Sequence, residues 1–223
     1  MSESVRPALV VFDMDDVLCR YDLATRLARL SDVSGRSPGE IRGAIWDSGF
    51  ETASDAGAID AATYLAGFGA RLGVPLTRAQ WVEARRLAMT PDPDMLALAR
   101  TLQRSVAVAL LTNNGLLTYE TIDELFPEAA RLFGDRLFVS AQFRTRKPEP
   151  AVYRRLADRL GVPAEAALMI DDKPANVTGA EAAGLLGHRF DGIAGLRARL
   201  AALGLDTAVD ARTAPKDAQR DPR

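Results

Sequence analysis

The sequence predicts an α/β fold: a parallel sheet flanked by helices, with a helical insert between the first strand and the rest. Three observations carry that reading. Short, uniformly apolar runs alternate with stretches of helical periodicity, the pattern of strands buried on both faces and joined by crossover helices. Polar clusters close these runs at three separate places, where ligands of such sheets gather. Residues 20–90 carry helix signals and no convincing strand.

Ala8-Leu9-Val10-Val11-Phe12 reads as the first strand and ends at Asp13, Asp15 and Asp16. In the insert, Ser37-Pro38-Gly39-Glu40 has an N-cap serine, a proline at the first helical position and a capping-box glutamate. Thr77 to Gln80 repeats the capping box before Trp81. Trp46, Phe50, Tyr64, Phe68 and Trp81 read as the core of the insert, with one or two at an entrance. Met95, Leu96, Leu98, Ala99 and Leu102 keep helical spacing before a second strand, Val106 to Leu111, which ends at Thr112-Asn113-Asn114-Gly115. Leu137-Phe138-Val139 is a weaker third strand. Pro150 to Leu160 places Val152, Tyr153, Leu156 and Leu160 on one helix face. Ala166 to Ile170 is a fourth strand ending at Asp171-Asp172; an Ala-rich helix, Ala175 to Ala183, follows Pro174, and Leu185 to Phe190 supplies a fifth strand. The expected organisation is a core of residues 1–19 and 89–205, an insert of 20–88, and a polar tail of 206–223 that does not pack.

Composition excludes several classes. Hydrophobic types make up 48% and charged types 26% of the 223 residues, which is ordinary globular composition. The 28 Lys and Arg against 30 Asp and Glu leave a net charge of −2, with no basic excess for nucleic acid. The longest apolar run is far short of a membrane span, and the first residues do not read as a signal peptide. The single cysteine, Cys19, has no partner for an internal disulfide, which fits a reducing cytoplasm. The single histidine, His188, excludes a multi-histidine metal site and reads as a strand or edge residue. Dinucleotide, P-loop and Gly-x-Ser-x-Gly patterns are absent from the sequence.

The chemistry lies at the strand ends. Asp13, Asp15, Asp171 and Asp172 gathered in one crevice would repel one another, and a divalent cation relieves that repulsion. Oxygen ligands select a hard ion such as magnesium, which in turn binds phosphate oxygens, so a phosphate monoester is a natural substrate class. Thr112 and Asn113 supply uncharged donors for a phosphoryl group. Lys147, just before a helix that begins with proline, can reach a crowd of acids and neutralise charge there. Its neighbours Arg144 and Arg146 read as solvated loop charges.

Phe12-Asp13-Met14-Asp15-Asp16-Val17-Leu18, Leu111-Thr112-Asn113-Asn114, Arg146-Lys147-Pro148-Glu149-Pro150 and Met169-Ile170-Asp171-Asp172-Lys173-Pro174-Ala175-Asn176 together resemble, in order and spacing, the four motifs of the haloacid dehalogenase superfamily. The chain is most similar within it to phosphatases such as the N-terminal domain of soluble epoxide hydrolase and bacterial sugar-phosphate phosphatases. The resemblance implies a Rossmann-like three-layer core, a helical cap inserted after the first strand, and Mg2+. It implies that Asp13 attacks phosphorus and becomes an aspartyl phosphate, and that Asp15 is the general acid and then the general base. Magnesium would be held by the Asp13 carboxylate, the Asp15 main-chain carbonyl and Asp172, the last chosen over Asp171 by counting to the following helix. Asp171 would orient Lys147 or a metal-bound water, and Asn176 falls where the family often has an acid behind the metal ligands. Thr112 and Asn113 would bind the phosphoryl group of a small phosphorylated metabolite, with specificity residing in the cap.

One position departs from the pattern. Asp16 stands where this group usually has glycine or asparagine. Its charge either weakens phosphate binding or tunes metal affinity, or it points away and matters little. Two other activities share the aspartate nucleophile. A sugar-phosphate mutase differs mainly in the cap. A 2-haloacid dehalogenase lacks an acid at the place of Asp15, so Asp15 with Asp171 and Asp172 argues against it.

Overall fold

The computed structural model describes residues 6–208. Five parallel strands form the main sheet: β1 (Leu9–Phe12), β4 (Ala107–Thr112), β5 (Leu137–Val139), β6 (Ala167–Asp171) and β7 (Leu186–Arg189), in the order β5-β4-β1-β6-β7. The central strand, β1, is buried along its whole length. Its side chains alternate between two packing layers. Val10 and Phe12 face one, with residues of α6 (Pro93–Leu102), α9 (Pro127–Phe133) and α12 (Ile193–Ala202). Leu9 and Val11 face the other, with α10 (Pro150–Leu160) and α11 (Pro174–Ala182). The result is the expected three-layer core.

All five expected strands are present, each displaced by a residue or two at most at its ends. His188 lies in β7, at the edge of the sheet, as expected. Two short helices between β4 and α9, α7 (Leu116–Glu120) and α8 (Ile122–Leu125), carry too few residues to show a period.

The insert contains α1 (Leu23–Ser34), α2 (Pro38–Arg42), α3 (Phe50–Asp55), α4 (Ala61–Leu72) and α5 (Arg78–Leu87). The Ser37–Glu40 and Thr77–Gln80 capping boxes both form, with side chain and main chain bonded in both directions. Phe50, Tyr64, Phe68 and Trp81 are buried in the insert's core, Tyr64 stacking on Phe50 with ring centroids 5.3 Å apart. Trp46 sits at the edge of this cluster.

The reading of no strand near residues 20–90 needs correction. Two three-residue strands, β2 (Cys19–Tyr21) and β3 (Met89–Pro91), pair antiparallel, Arg20 opposite Thr90, at the two ends of the insert. Three residues cannot display an alternation; β2 crosses the boundary expected at 19/20, and β3 begins directly after the one expected at 88/89. Among the described residues no helix is long and apolar enough to cross a membrane. Of the tail expected at 206–223, the part from residue 209 onward lies outside the described residues.

Candidate active site

Asp13 directly follows β1, and its N–H still bonds Ile170 O at 2.9 Å, so the sheet fixes its main chain. Its carboxylate is buried and accepts from Met14 N at 2.8 Å. Lys147 Nζ lies 2.8 Å from Asp13 Oδ1 and 2.6 Å from Asp171 Oδ2, with none of the lysine side chain exposed. One ammonium thus bridges the acids at the ends of two neighbouring strands. Asn113 at the end of β4 sets its position: Asn113 Nδ2 donates to Lys147 O and Lys147 N donates to Asn113 Oδ1, both at 2.8 Å.

Asp171 is saturated with donors. Asn176 Nδ2 reaches both its oxygens, at 2.9 and 3.0 Å, and Lys173 N donates at 2.9 Å. Tyr153 OH in turn donates to Asn176 O at 2.6 Å. Burial works to raise the Asp171 pKa, but Lys147 and these donors hold it below the usual range. Asp13 goes the other way: burial pushes it up, Lys147 opposes, and the Asp171 charge adds to the rise.

Asp172 is the third carboxylate. Ligand oxygens of Asp13, Asp171 and Asp172 all lie within 4.8 Å of one another. Asp172 Oδ1 is buried with no hydrogen-bond partner, a costly state for a carboxylate oxygen, and burial pushes the Asp172 carboxyl above its usual range. Both oxygens of Asp171 are engaged and that of Asp172 is not. The group therefore fits a hard divalent cation held from Asp13 and Asp172, with Asp171 behind them.

Asp15, half-buried, projects away from this trio toward the insert. Its Oδ2 accepts from Arg85 Nη2 at 3.0 Å. Cys19 Sγ lies 3.8 Å from Asp15 Oδ1; burial first, then the Asp15 charge, pushes its thiol far above the ordinary range, which disfavours the reactive thiolate. Asp16 adopts a left-handed backbone, φ 62°, a conformation that favours glycine and asparagine. Its carboxylate is exposed and accepts from Tyr21 N at 3.1 Å, which ties the turn after β1 to β2.

Above the acids, a cavity of about 340 Å³ lies between core and insert. Asn113, Lys147, Lys173 and Asn176 line it from the core; Arg26, Trp46, Glu51 and Arg85 line it from the insert. Thr112 is buried, its hydroxyl accepting from Asn114 Nδ2 at 2.8 Å, and Asn114 rather than Thr112 faces the cavity. Arg146, about a third exposed, lines it too, its Nη2 4.0 Å from Asp55 Oδ2, so only part of it is a solvated loop charge; Arg144 is exposed. Arg26 and Arg85 were not singled out from sequence. Their signal was an arginine on an apolar helix face: Arg26 stands four residues before buried Leu30, and Arg85 four residues after buried Trp81.

A family model described as haloacid dehalogenase-like hydrolase matches residues 7–184. The chain belongs to that family. Among curated proteins, the sesquiterpene phosphatase AstK of Aspergillus oryzae is 33% identical over 108 residues, 48% of this chain and 54% of the relative. The chain therefore aligns with about half the length of this relative. Solved members of the family share the fold. A HAD-like family hydrolase of Porphyromonas gingivalis superposes with a TM-score of 0.74 at 20% identity, covering 88% of this chain and 98% of the other. A HAD family enzyme of Bacteroides thetaiotaomicron, in complex with magnesium and inorganic phosphate, does so with 0.68 at 17%, covering 82% and 93%. The L-2-haloacid dehalogenase of Xanthobacter autotrophicus gives 0.59 at 20%, covering 84% and 78%.

Proposed function

We propose that this HAD-like hydrolase is a magnesium-dependent phosphatase of a small phosphorylated metabolite, working through an aspartyl phosphate on Asp13. The observation that carries the reading is the division of labour among four carboxylates. Asp13 is held by Lys147 and Met14 N, Asp171 is spent on positioning Lys147, Asp172 keeps a bare buried oxygen, and Asp15 stands apart on the cavity side. A bound Mg2+, held by the Asp13 carboxylate, the Asp15 main-chain carbonyl and Asp172, would neutralise the charge of the phosphoryl group and of the acids it must approach.

Asp13 attacks phosphorus, so that an Asp13 oxygen–phosphorus bond forms as the bond to the leaving oxygen breaks. Asp15 delivers its proton to that oxygen. Asp15 then takes a proton from water, whose oxygen attacks phosphorus and releases Asp13 and inorganic phosphate. Lys147 balances charge on Asp13 throughout, and Asn113 clamps the lysine in place. Asn113 and Asn114 face the bound phosphoryl group, with Thr112 beneath them. A terpenoid leaving group like that named for the fungal relative suits this chamber poorly, because Arg26, Arg85, Arg146, Glu51 and Asp55 would be covered by hydrocarbon. A reducing cytoplasm suits buried, unpaired Cys19.

The test is phosphate release from sugar phosphates, phosphorylated acids, nucleotides and aryl phosphates, with Mg2+ and with a chelator. Turnover that needs Mg2+ supports the reading. Full turnover in chelator, or exchange between phosphate isomers without net release, contradicts it.

A further inference from the structure

Resting on the phosphatase reading, we infer that the cap half of the cavity is a subsite for a second anionic group, so that the substrate carries a carboxylate or another phosphate on its leaving-group side. Arg26 shows this most clearly. Its side chain is 1% exposed, yet it lines the cavity. Its Nη1 donates to Tyr21 OH at 3.1 Å, while its Nε and Nη2 have no hydrogen-bond partner. A buried guanidinium with two unused donor groups is costly. Arg85 and Arg146 line the same cavity, and each also has a buried Nε without a partner.

The acids nearby meet this set only in part: Arg85 Nη2 bonds Asp15 Oδ2 at 3.0 Å, but no acid reaches the free Nε and Nη2 of Arg26 or the Nε of Arg85 and Arg146. Glu51 accepts from Tyr64 OH on Oε2 and forms a loose ion pair through Oε1, 3.7 Å from Arg26 Nη1, beyond hydrogen-bond reach and away from the free Nε and Nη2. Asp55 stands 4.0 Å from Arg146, and burial, aided by the Glu51 charge, raises its carboxyl well above the usual range. Aromatic rings flank two of these guanidinium groups. Trp46 and Trp81 lie 5.2 and 5.3 Å from the Arg26 guanidinium, and the Tyr21 ring lies 5.0 Å from that of Arg85. A planar fork with unused donors beside aromatic rings suits a carboxylate or phosphate, which can accept two of its N–H groups at once. The subsite also touches the chemistry: Arg85, which lines it, donates to Asp15 Oδ2 at 3.0 Å.

The test uses short alkyl phosphates of matched length ending in carboxylate, phosphate, hydroxyl or methyl ester, with the wild-type chain and Mg2+. The expected result is a kcat/KM roughly ten- to a hundredfold higher for the anionic ends, the range for a hydrogen bond to a charged group. Arg26→Gln and Arg26→Lys should shrink that ratio, Gln more than Lys. Equal kcat/KM for charged and neutral ends, or variants that lower both classes in proportion, would overturn the subsite. Calorimetry with the matching non-hydrolysable phosphonates separates the two claims. A preference for the carboxylate-ended phosphonate without any ester turnover would uphold the subsite and sink the phosphatase reading. Equal binding of both phosphonates beside brisk turnover would do the reverse.

Discussion

Arg85 of the insert and Asp15 of the core are joined by an ion pair, Nη2 to Oδ2 at 3.0 Å, between residues 70 apart in sequence. The arginine side chain is 3% exposed and the aspartate 21%, so the pair sits where the two parts of the molecule meet and water is scarce. It links the position of the cap to the residue proposed to move the proton.

Removing the arginine charge should therefore act through Asp15. Arg85→Met is expected to lower kcat/KM roughly ten- to a hundredfold, the worth of a hydrogen bond to a charged group. In combination with Asp15→Asn it should cause little further loss, because the two residues act as one unit. Steady-state kinetics on the two single variants and the double variant measures the coupling. Losses that simply multiply would show that Arg85 acts independently of Asp15.

Lys147→Met leaves the Asp13 and Asp171 carboxylates facing each other, buried, without the ammonium that lies within 2.8 Å of both. Breaking a buried ion pair from one side typically costs about 3–5 kcal/mol, and the metal-free variant should melt well below wild type. A cation bound between Asp13 and Asp172 offsets part of that repulsion, and binding to the native state raises stability. Mg2+ should then raise the melting temperature of the variant more than that of wild type. Equal gains, or none, would argue against a cation beside Asp13.

The order of strands and the acids at their ends were legible because a parallel sheet writes itself as apolar runs and its ligand site as polar closures. Capping boxes were legible for the same local reason. The lysine clamp was only half legible: Lys147 stood out, but the bonds from Asn113 to its main chain span 34 residues and leave no local trace. Arg26 and Arg85 were missed because a charged residue in a helix ordinarily points to solvent, and only the packing around the cavity buries these. Asp16 looked anomalous by charge; its backbone angle and its bond to Tyr21 N explain the position, since aspartate tolerates the left-handed conformation.

Gly179 offers a test of how tightly the lysine loop is set. It lies within α11, and a Cβ there would overlap the carbonyl oxygen of Pro148, next to Lys147. Helix propensity alone favours Gly179→Ala by about 1 kcal/mol. The overlap with main chain should dominate, so the variant is expected to be less stable and slower. Thermal melts and turnover check it; a variant more stable than wild type with full activity would show that the loop yields.

The most direct measurement of the central claim is the mass of Asp15→Asn protein, acid-quenched during turnover of an aryl phosphate with Mg2+. The amide keeps an oxygen for Arg85 but neither gives nor takes a carboxylic proton. Alkyl phosphates need that proton on the leaving oxygen and should slow by roughly a hundred- to ten-thousandfold, the usual worth of general acid–base catalysis. Aryl phosphates need little help to leave, so Asp13 is still phosphorylated, and the intermediate then lacks the base that would hydrolyse it. The account predicts a burst of phenol, slow turnover after it, and one phosphoryl group on the quenched protein at Asp13; Asp13→Asn should show none of these. If alkyl and aryl esters slow alike and no phosphorylated protein is found, Asp15 is not the acid and base of a reaction through Asp13, and the proposed mechanism is wrong.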